Sequence, residues 1–71
     1  MENEYVLERH GVAWDVRFYG GGKASNPRFV ALSAAVRYTT RRKAEDMRAA
    51  ILAEDGRMVV VVDVADCGES R

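Results

Sequence analysis

Only one stretch of the sequence, residues 41–54, has the apolar spacing of an α-helix, and this limits the fold more than any other feature. Ala44, Met47 and Ile51 fall on one stripe of that segment. Thr40 precedes it as an N-cap and Gly56 follows it as a helix stop. A chain of 71 residues has room for one domain, residues 1–71, and one modest core. Because one helix covers only one face of a sheet, the remaining structure must be built from strands.

Residues 4–20 are predicted to form a β-hairpin. Apolar side chains alternate along its second arm at Val12, Trp14, Val16 and Phe18. A two-residue turn at His10 and Gly11 would align the apolar sides of both arms. The register then consists of three cross-strand pairs: Leu7 with Trp14, Tyr5 with Val16 and Glu4 with Arg17. In this arrangement Trp14 is a core residue, and its replacement by Ala is expected to remove about 3–5 kcal/mol of stability.

The rest of the chain alternates between loops and short strands. Residues 20–27 are predicted as a glycine-rich loop, 28–31 and 36–38 as short strands, 57–64 as the last strand and 65–71 as a frayed tail. The fold class is therefore α+β, in the order β-β-(β)-α-β. It has a small antiparallel or mixed sheet of three to four strands and one helix on one face. The strand–helix–strand unit is expected to be a right-handed crossover between parallel strands.

The last strand is apolar on both faces until Asp63. Two interpretations remain open at this point. The strand lies in the centre of the sheet beneath a covering loop, or Val59 and Val61 form a strip that meets a second subunit or another partner. The second interpretation predicts that the protein associates as a homodimer.

Residue types suited to catalysis are few. The lone His10 falls on a turn and the lone Cys67 falls in the tail, so no nucleophile–base pair is expected, and structural zinc would need four ligands. Gly20 to Lys23 lacks the Ser or Thr that a phosphate-binding loop carries after its lysine. A single cysteine favours a reducing compartment, and no apolar stretch suggests a signal peptide or a membrane span. We therefore expect a soluble cytoplasmic protein without enzymatic activity, cofactor or metal.

Charge is segregated although the formal net charge is zero. Residues 1–16 and 49–71 each carry −3, and residues 17–48 carry +6. Cations occupy the first helical turn, where the positive end of the helix dipole opposes them. The residues expected to bind a partner are Arg17, Lys23, Arg28, Arg37, Arg41, Arg42 and Lys43. The alternative is that these side chains are solvated and cover apolar surface with their stems.

From Leu32 onward the chain resembles a recurrent pattern in small phage and mobile-element proteins. The pattern consists of Leu32-Ser33, Ala35, the aromatic Tyr38, the cap Thr40, the helical Ala44 and a final Val-rich strand. The hairpin, the loop and the order of elements also resemble anti-CRISPR inhibitors. The chain departs from the pattern at Lys43, where such proteins carry a Glu that completes a capping box. The resemblance implies a phage-type binding protein but transfers the role of no individual residue.

These observations lead to two hypotheses about function. The first is a small interaction protein that inhibits a CRISPR-type host complex. It would dock its basic segment on an acidic protein surface and use the apolar strip of Val59 and Val61 as a second contact. The second is a nucleic-acid-binding module in which Arg41, Arg42 and Lys43 contact phosphates. Three further cations would assist them: Arg17, Lys23 and Arg28.

Overall fold

In a computed structural model, residues 3–66 are described, and they form one α-helix and a four-stranded sheet. The strands are β1 (Tyr5–Glu8), β2 (Phe18–Lys23), β3 (Asn26–Val30) and β4 (Val60–Asp63), and the helix is α1 (Arg41–Asp55). Short 3-10 turns span Trp14–Val16, Leu32–Ala34 and Val64–Asp66. The predicted α+β class is confirmed. The last of these turns includes the first two residues of the predicted tail, and residues 67–71, with Cys67, lie outside the described residues.

The strand order is β3-β2-β1-β4, and every neighbouring pair is antiparallel. Strands β3 and β4 therefore run antiparallel to each other. The predicted parallel crossover instead joins residues 36–38 to β4, because Tyr38 and Asp63 both pair antiparallel with Tyr5 from opposite sides of β1. The chain leaves β3 at one edge of the sheet, passes through α1 and returns as β4 at the opposite edge. Strand β1 pairs with β4 along its whole length, with Val6 opposite Val62 and Leu7 opposite Val61. Because β4 pairs with β1, it lies at the edge of the sheet opposite β3.

The predicted hairpin of residues 4–20 is also wrong. Only Glu8 and Phe18 pair between β1 and β2, and residues 9–17 form a loop instead of two further arms. Two arginines supply hydrogen bonds that the loop would otherwise lack. Arg9 Nε donates to the Val16 carbonyl at 3.0 Å and Arg17 Nη2 donates to the Val12 carbonyl at 2.8 Å. The three predicted cross-strand pairs do not form.

Trp14 is consequently not a core residue. It begins the 3-10 turn within the loop of residues 9–17 and is 45% exposed. Its ring meets Phe18 edge-on, with centroids 5.1 Å apart and planes at 79°. Of the four apolar residues that alternate in this stretch, Phe18 is the buried one. Only the last residue of the alternating pattern, Phe18, lies in the sheet, at the start of β2. Val12, Trp14 and Val16 lie outside the sheet.

The glycine-rich segment predicted as a loop forms the hairpin of β2 and β3. Lys23 pairs with Asn26 across a tight turn, and the register shifts between Tyr19 and Gly21 as in a β-bulge. Gly21 and Gly22 have φ values of 121° and 92°, which residues with a Cβ rarely adopt. The same glycines that suggested flexibility thus allow the strand to bend. Pro27 is tolerated because β3 is an edge strand.

Strands β1 and β2 diverge after their single pair, and residues 36–38 fill the gap between them. Tyr38 and Tyr5 exchange both backbone hydrogen bonds at 2.9 Å, and the Val36 N–H donates to the Tyr19 carbonyl at 3.0 Å. The predicted extended stretch before the helix is therefore confirmed. It completes the centre of the sheet and brings the helix start beside Tyr5.

Helix α1 agrees with the prediction to within one residue. Thr40 Oγ1 accepts the Lys43 N–H at 3.3 Å, and the Gly56 N–H donates to the carbonyls of Ile51 and Leu52. Gly56 has the left-handed φ of 79° that ends many helices. Ala44 and Ile51 are fully buried against the sheet, and Met47 packs beside them.

Apolar side chains are buried on both faces of the sheet. The face under α1 contains Leu7, Tyr19, Ala44, Ile51 and Val59. On the other face Val6 and Phe18 pack with residues that include Leu32 and Ala35, near the second 3-10 turn. Val59 is 1% exposed and Val61 packs against the helix-side cluster, so the expectation that both lack cover is wrong. Loop cover was predicted correctly, although β4 lies at an edge and not in the centre.

Candidate binding surface

The helix start and the β2–β3 turn lie at the same end of the sheet. Strand β2 begins beside Glu8 and runs away from it, so its turn reaches the end where β1 begins. At that end the Arg41 guanidinium lies 6.0 Å from the centre of the Tyr5 ring. Six of the seven cations predicted to bind a partner are grouped at this end: Lys23, Arg28, Arg37, Arg41, Arg42 and Lys43.

Arg17 lies at the other end and has a structural role. Its guanidinium is 3.7 Å from the Glu8 carboxylate, hydrogen-bonds to the Val12 carbonyl and lies 5.4 Å from the Trp14 ring centre. These contacts hold the loop of residues 9–17 against β1. The prediction that Arg17 joins the binding residues is therefore not supported by its position.

Two of the six grouped cations already have acidic partners. Arg37 lies 3.4 Å from Glu4, and Arg41 lies 3.7 Å from Glu45. Glu45 also accepts a hydrogen bond from Arg48 at 2.8 Å. Exposed pairs of this kind stabilise weakly, by about 0–1 kcal/mol. They do, however, reduce the positive charge that Arg37 and Arg41 offer to a partner.

Four cations remain without such neutralisation. Within residues 3–66, no carboxylate lies within 4.0 Å of Lys23, Arg28, Arg42 or Lys43, and all four are exposed. We call these four residues the basic surface. Lys23 and Arg28 line a shallow depression beside the β2–β3 turn. Arg42 and Lys43 lie in the first turn of α1, which contains no acidic residue. Cations there are unfavourable by about 0.3–1 kcal/mol each.

Several residues were not anticipated as site residues, among them Glu45 and Arg48, which lie beside the predicted Arg41. Arg41, Glu45 and Arg48 line a groove between α1 and β4, together with Met58 and β4 residues. Their spacing of four and three residues is a helical stripe that the sequence could have revealed. At the opposite end, the guanidiniums of Arg9 and Arg57 lie 4.1 Å and 5.6 Å from the centre of the Phe29 ring. Arg9, Phe29 and Arg57 are far apart in the sequence, so no local sequence pattern predicts their contact.

Groups suited to catalysis are sparse in the described part of the chain. His10 is exposed, and its Nε2 lies 3.9 Å from a Glu8 oxygen. Among residues 3–66, no group of three or more His, Cys, Asp or Glu side chains could hold a metal ion. No helix in this range is long and apolar enough to cross a membrane.

Two tyrosines, the buried Tyr19 and the half-buried Tyr38, have altered acidity. Burial raises the pKa of Tyr19, and burial together with the nearby Tyr19 raises the pKa of Tyr38. The Tyr19 hydroxyl donates a hydrogen bond to the Gly22 carbonyl at 2.6 Å. This bond ties the bulged part of β2 to the helix-side core.

These shifts predict a loss of stability in alkali. A folded-state pKa above the unfolded value of about 10 means that the folded chain retains protons that the unfolded chain releases. The contribution is complete below about pH 10 and is lost as the pH rises through the folded pKa. Urea unfolding between about pH 9 and pH 11 should show this decline, and Tyr38→Phe should reduce it. An identical decline in both proteins would contradict the assignment.

Comparison with other proteins gave no match: no protein-family model, no curated protein and no solved structure is detectably similar to the chain.

Proposed function

We propose that the chain is a small non-enzymatic binding protein that docks its basic surface on an acidic surface of a partner protein. The observation that carries this proposal is the grouping of Lys23, Arg28, Arg42 and Lys43 at one end without carboxylate partners in residues 3–66. Arg42 and Lys43 also oppose the helix dipole. Charges that are unfavourable within the monomer become favourable when they meet a complementary surface.

The partner we propose is a bacterial defence complex of the CRISPR type, with this chain as an inhibitor encoded by a phage or mobile element. The support is the resemblance of the order of elements and of the Thr40-capped helix to such inhibitors. Lys43, at the position where that pattern carries Glu, contributes to the basic surface. Such an inhibitor would act in the cytoplasm of the host cell.

Binding to nucleic acid is the second candidate, because the same four cations could contact phosphates. Two observations make it less favoured. The formal net charge is zero. The most exposed aromatic side chain within residues 3–66, that of Trp14, packs on Phe18 at the end away from the basic surface, so it offers no stacking platform beside these cations.

Neutralising the helix start tests the proposal. The double variant Arg42→Ala, Lys43→Ala should fold normally or become slightly more stable, because unfavourable charges leave the helix start. Its affinity for a partner protein identified by pull-down should fall by about tenfold or more, mainly through slower and salt-dependent association. Titration by surface plasmon resonance at two salt concentrations provides the measurement.

The matched control is Ala49→Glu, Ala53→Glu, which changes the net charge by the same amount on exposed positions of the same helix. Its affinity should stay close to that of the unmodified chain. Undiminished binding by the Arg42, Lys43 variant at low salt would overturn the proposal. Tight binding of random duplex DNA, with affinity falling steeply as salt rises, would favour the second candidate.

A further inference from the structure

The two edges of the sheet differ in how they are protected against pairing with another strand. Strand β3 carries Pro27, which cannot donate a backbone hydrogen bond, and the charged Arg28. Strand β4 carries three valines in succession, and Met58 just before it is 72% exposed. Edge strands in soluble proteins usually carry a feature that blocks pairing. In β4 the charged residue is Asp63, at the last position of the strand, and Val60, Val61 and Val62 carry no such feature.

The hydrogen-bond pattern shows which backbone groups of β4 point outward. Tyr5 exchanges both of its bonds with Tyr38, so its backbone groups face away from β4. Backbone groups alternate along an antiparallel strand, so those of Val6 face Val62. The Val64 N–H donates to the Glu4 carbonyl at 2.8 Å, as this alternation requires. The N–H and C=O of Val61 therefore point away from β1, toward the side on which no strand within residues 3–66 pairs with β4.

We propose that β4 pairs antiparallel with β4 of a second copy of the chain, with Val61 opposite Val61 of that copy. The two residues exchange both backbone hydrogen bonds, and the four-stranded sheets join into one. This inference goes beyond the proposed function, because it uses the main chain of β4 and not the basic surface.

The side chains of β4 suit this pairing on both faces. On the face away from α1, Val60 comes opposite Val62 of the second copy, which covers the 37% of Val60 that is exposed. On the α1 face, Asp63 of the second copy comes opposite Val59. Val59 lines a groove with Arg41, Glu45 and Arg48, so this Asp63 meets a groove whose two cations share one carboxylate. The β4 segment is thus complementary to itself in apolar contact, and the groove of α1 beside it is complementary in charge to Asp63 of the second copy.

A second copy is also the occupant that the overall charge favours. The formal net charge is zero, so two copies approach each other without net repulsion. The sequence suggested self-association through exposed side chains of Val59 and Val61, but α1 covers that side. Pairing through the edge leaves α1 in place over Val59 and Val61, because the second copy adds a strand beside β4.

Sedimentation equilibrium on the full chain at high micromolar concentration is expected to show a dimer. Val60→Lys should weaken the dimer by about tenfold or more, because a charge would be buried against Val62 of the second copy. The matched control is Val16→Lys, since Val16 is 38% exposed and lies in the 3-10 turn within the loop of residues 9–17. This control should leave the dimer within about twofold of the unmodified chain. Equal weakening by both variants would overturn the proposal.

The unmodified chain provides a second test that does not depend on a variant folding. The Val61 amide should exchange slowly at high concentration and faster on dilution, while the Val62 amide, which faces β1, stays protected at both. An NMR contact between the Hα atoms of Val60 and Val62 in different chains is also expected, because this is the closer, non-hydrogen-bonded pair. A monomer at high concentration with fast Val61 exchange overturns the proposal. So does protection of Val61 that arises only after a synthetic extended acidic peptide is added, since the edge would then take a foreign strand.

Discussion

Phe18→Ala is expected to reduce the free energy of unfolding by about 3–5 kcal/mol and to leave much of the protein unfolded at room temperature. Phe18 is fully buried, begins β2 and forms the pair with Glu8 that joins β1 to β2. Its ring packs with Val6 on the face away from α1, where short turns provide the cover. A cavity at this position cannot be filled by movement of a regular element. Urea denaturation followed by circular dichroism would measure the change.

Trp14→Ala is the control for this variant and reverses the expectation from the sequence. Because Trp14 is half-exposed and touches Phe18 only with its ring edge, its loss should remove about 1 kcal/mol. A larger loss for Trp14→Ala than for Phe18→Ala would show that the hairpin predicted from the alternating pattern forms in solution.

Ile51→Ala should have the second largest effect, a loss of about 2–5 kcal/mol. Ile51 is fully buried between α1 and the sheet, where it packs with Leu7 and Val59. Alanine is the best helix former, so the loss would come from the core and not from the helix itself. Thermal unfolding monitored at two concentrations would separate this effect from any change in association.

The neighbouring Leu52→Ala provides the comparison. Leu52 is exposed, so the same change of residue type on the same helix should alter stability by about 0.5 kcal/mol or less. Similar losses for the two variants would mean that α1 is rotated about its axis relative to the packing described above.

Helix α1 could be predicted closely because its signals are local. Thr40 needs only the Lys43 N–H three residues away, and Gly56 needs only the carbonyls of the preceding turn. The apolar stripe follows from the helical repeat alone. None of these features depends on where the rest of the chain lies.

The sheet was predicted less well because its pairing is a competition between distant segments. The alternation at residues 12–18 is compatible with a hairpin, but Val60–Val62 offer β1 a better partner than that segment does. Arg9 and Arg17 then supply the loop with hydrogen bonds. A choice of this kind rests on the relative energies of two whole arrangements, and no local pattern contains it.

The basic surface could be predicted less well than the helix and better than the sheet. Its cations could be named from charge alone, yet their grouping depends on the directions of β2 and α1. The turn at Lys23 and the helix start at Arg42 share an end only because residues 36–38 return beside Tyr5. Arg17 was predicted from charge in the same way, but it lies on the loop of residues 9–17, where it pairs with Glu8.

The central position of β1 has a consequence for how the protein is made. Strand β1 pairs with β2 and residues 36–38 on one side and with β4 on the other, and β4 is synthesised more than fifty residues later. At about 5–20 residues per second, Val6 and Leu7 wait on the order of several seconds on the ribosome for the strand that covers them. During that interval the nascent chain exposes an unpaired apolar strand of the kind that chaperones bind. The sheet can therefore be completed only after β4 has been synthesised, and the yield in a cell should depend on chaperone supply more than the small size of the domain suggests.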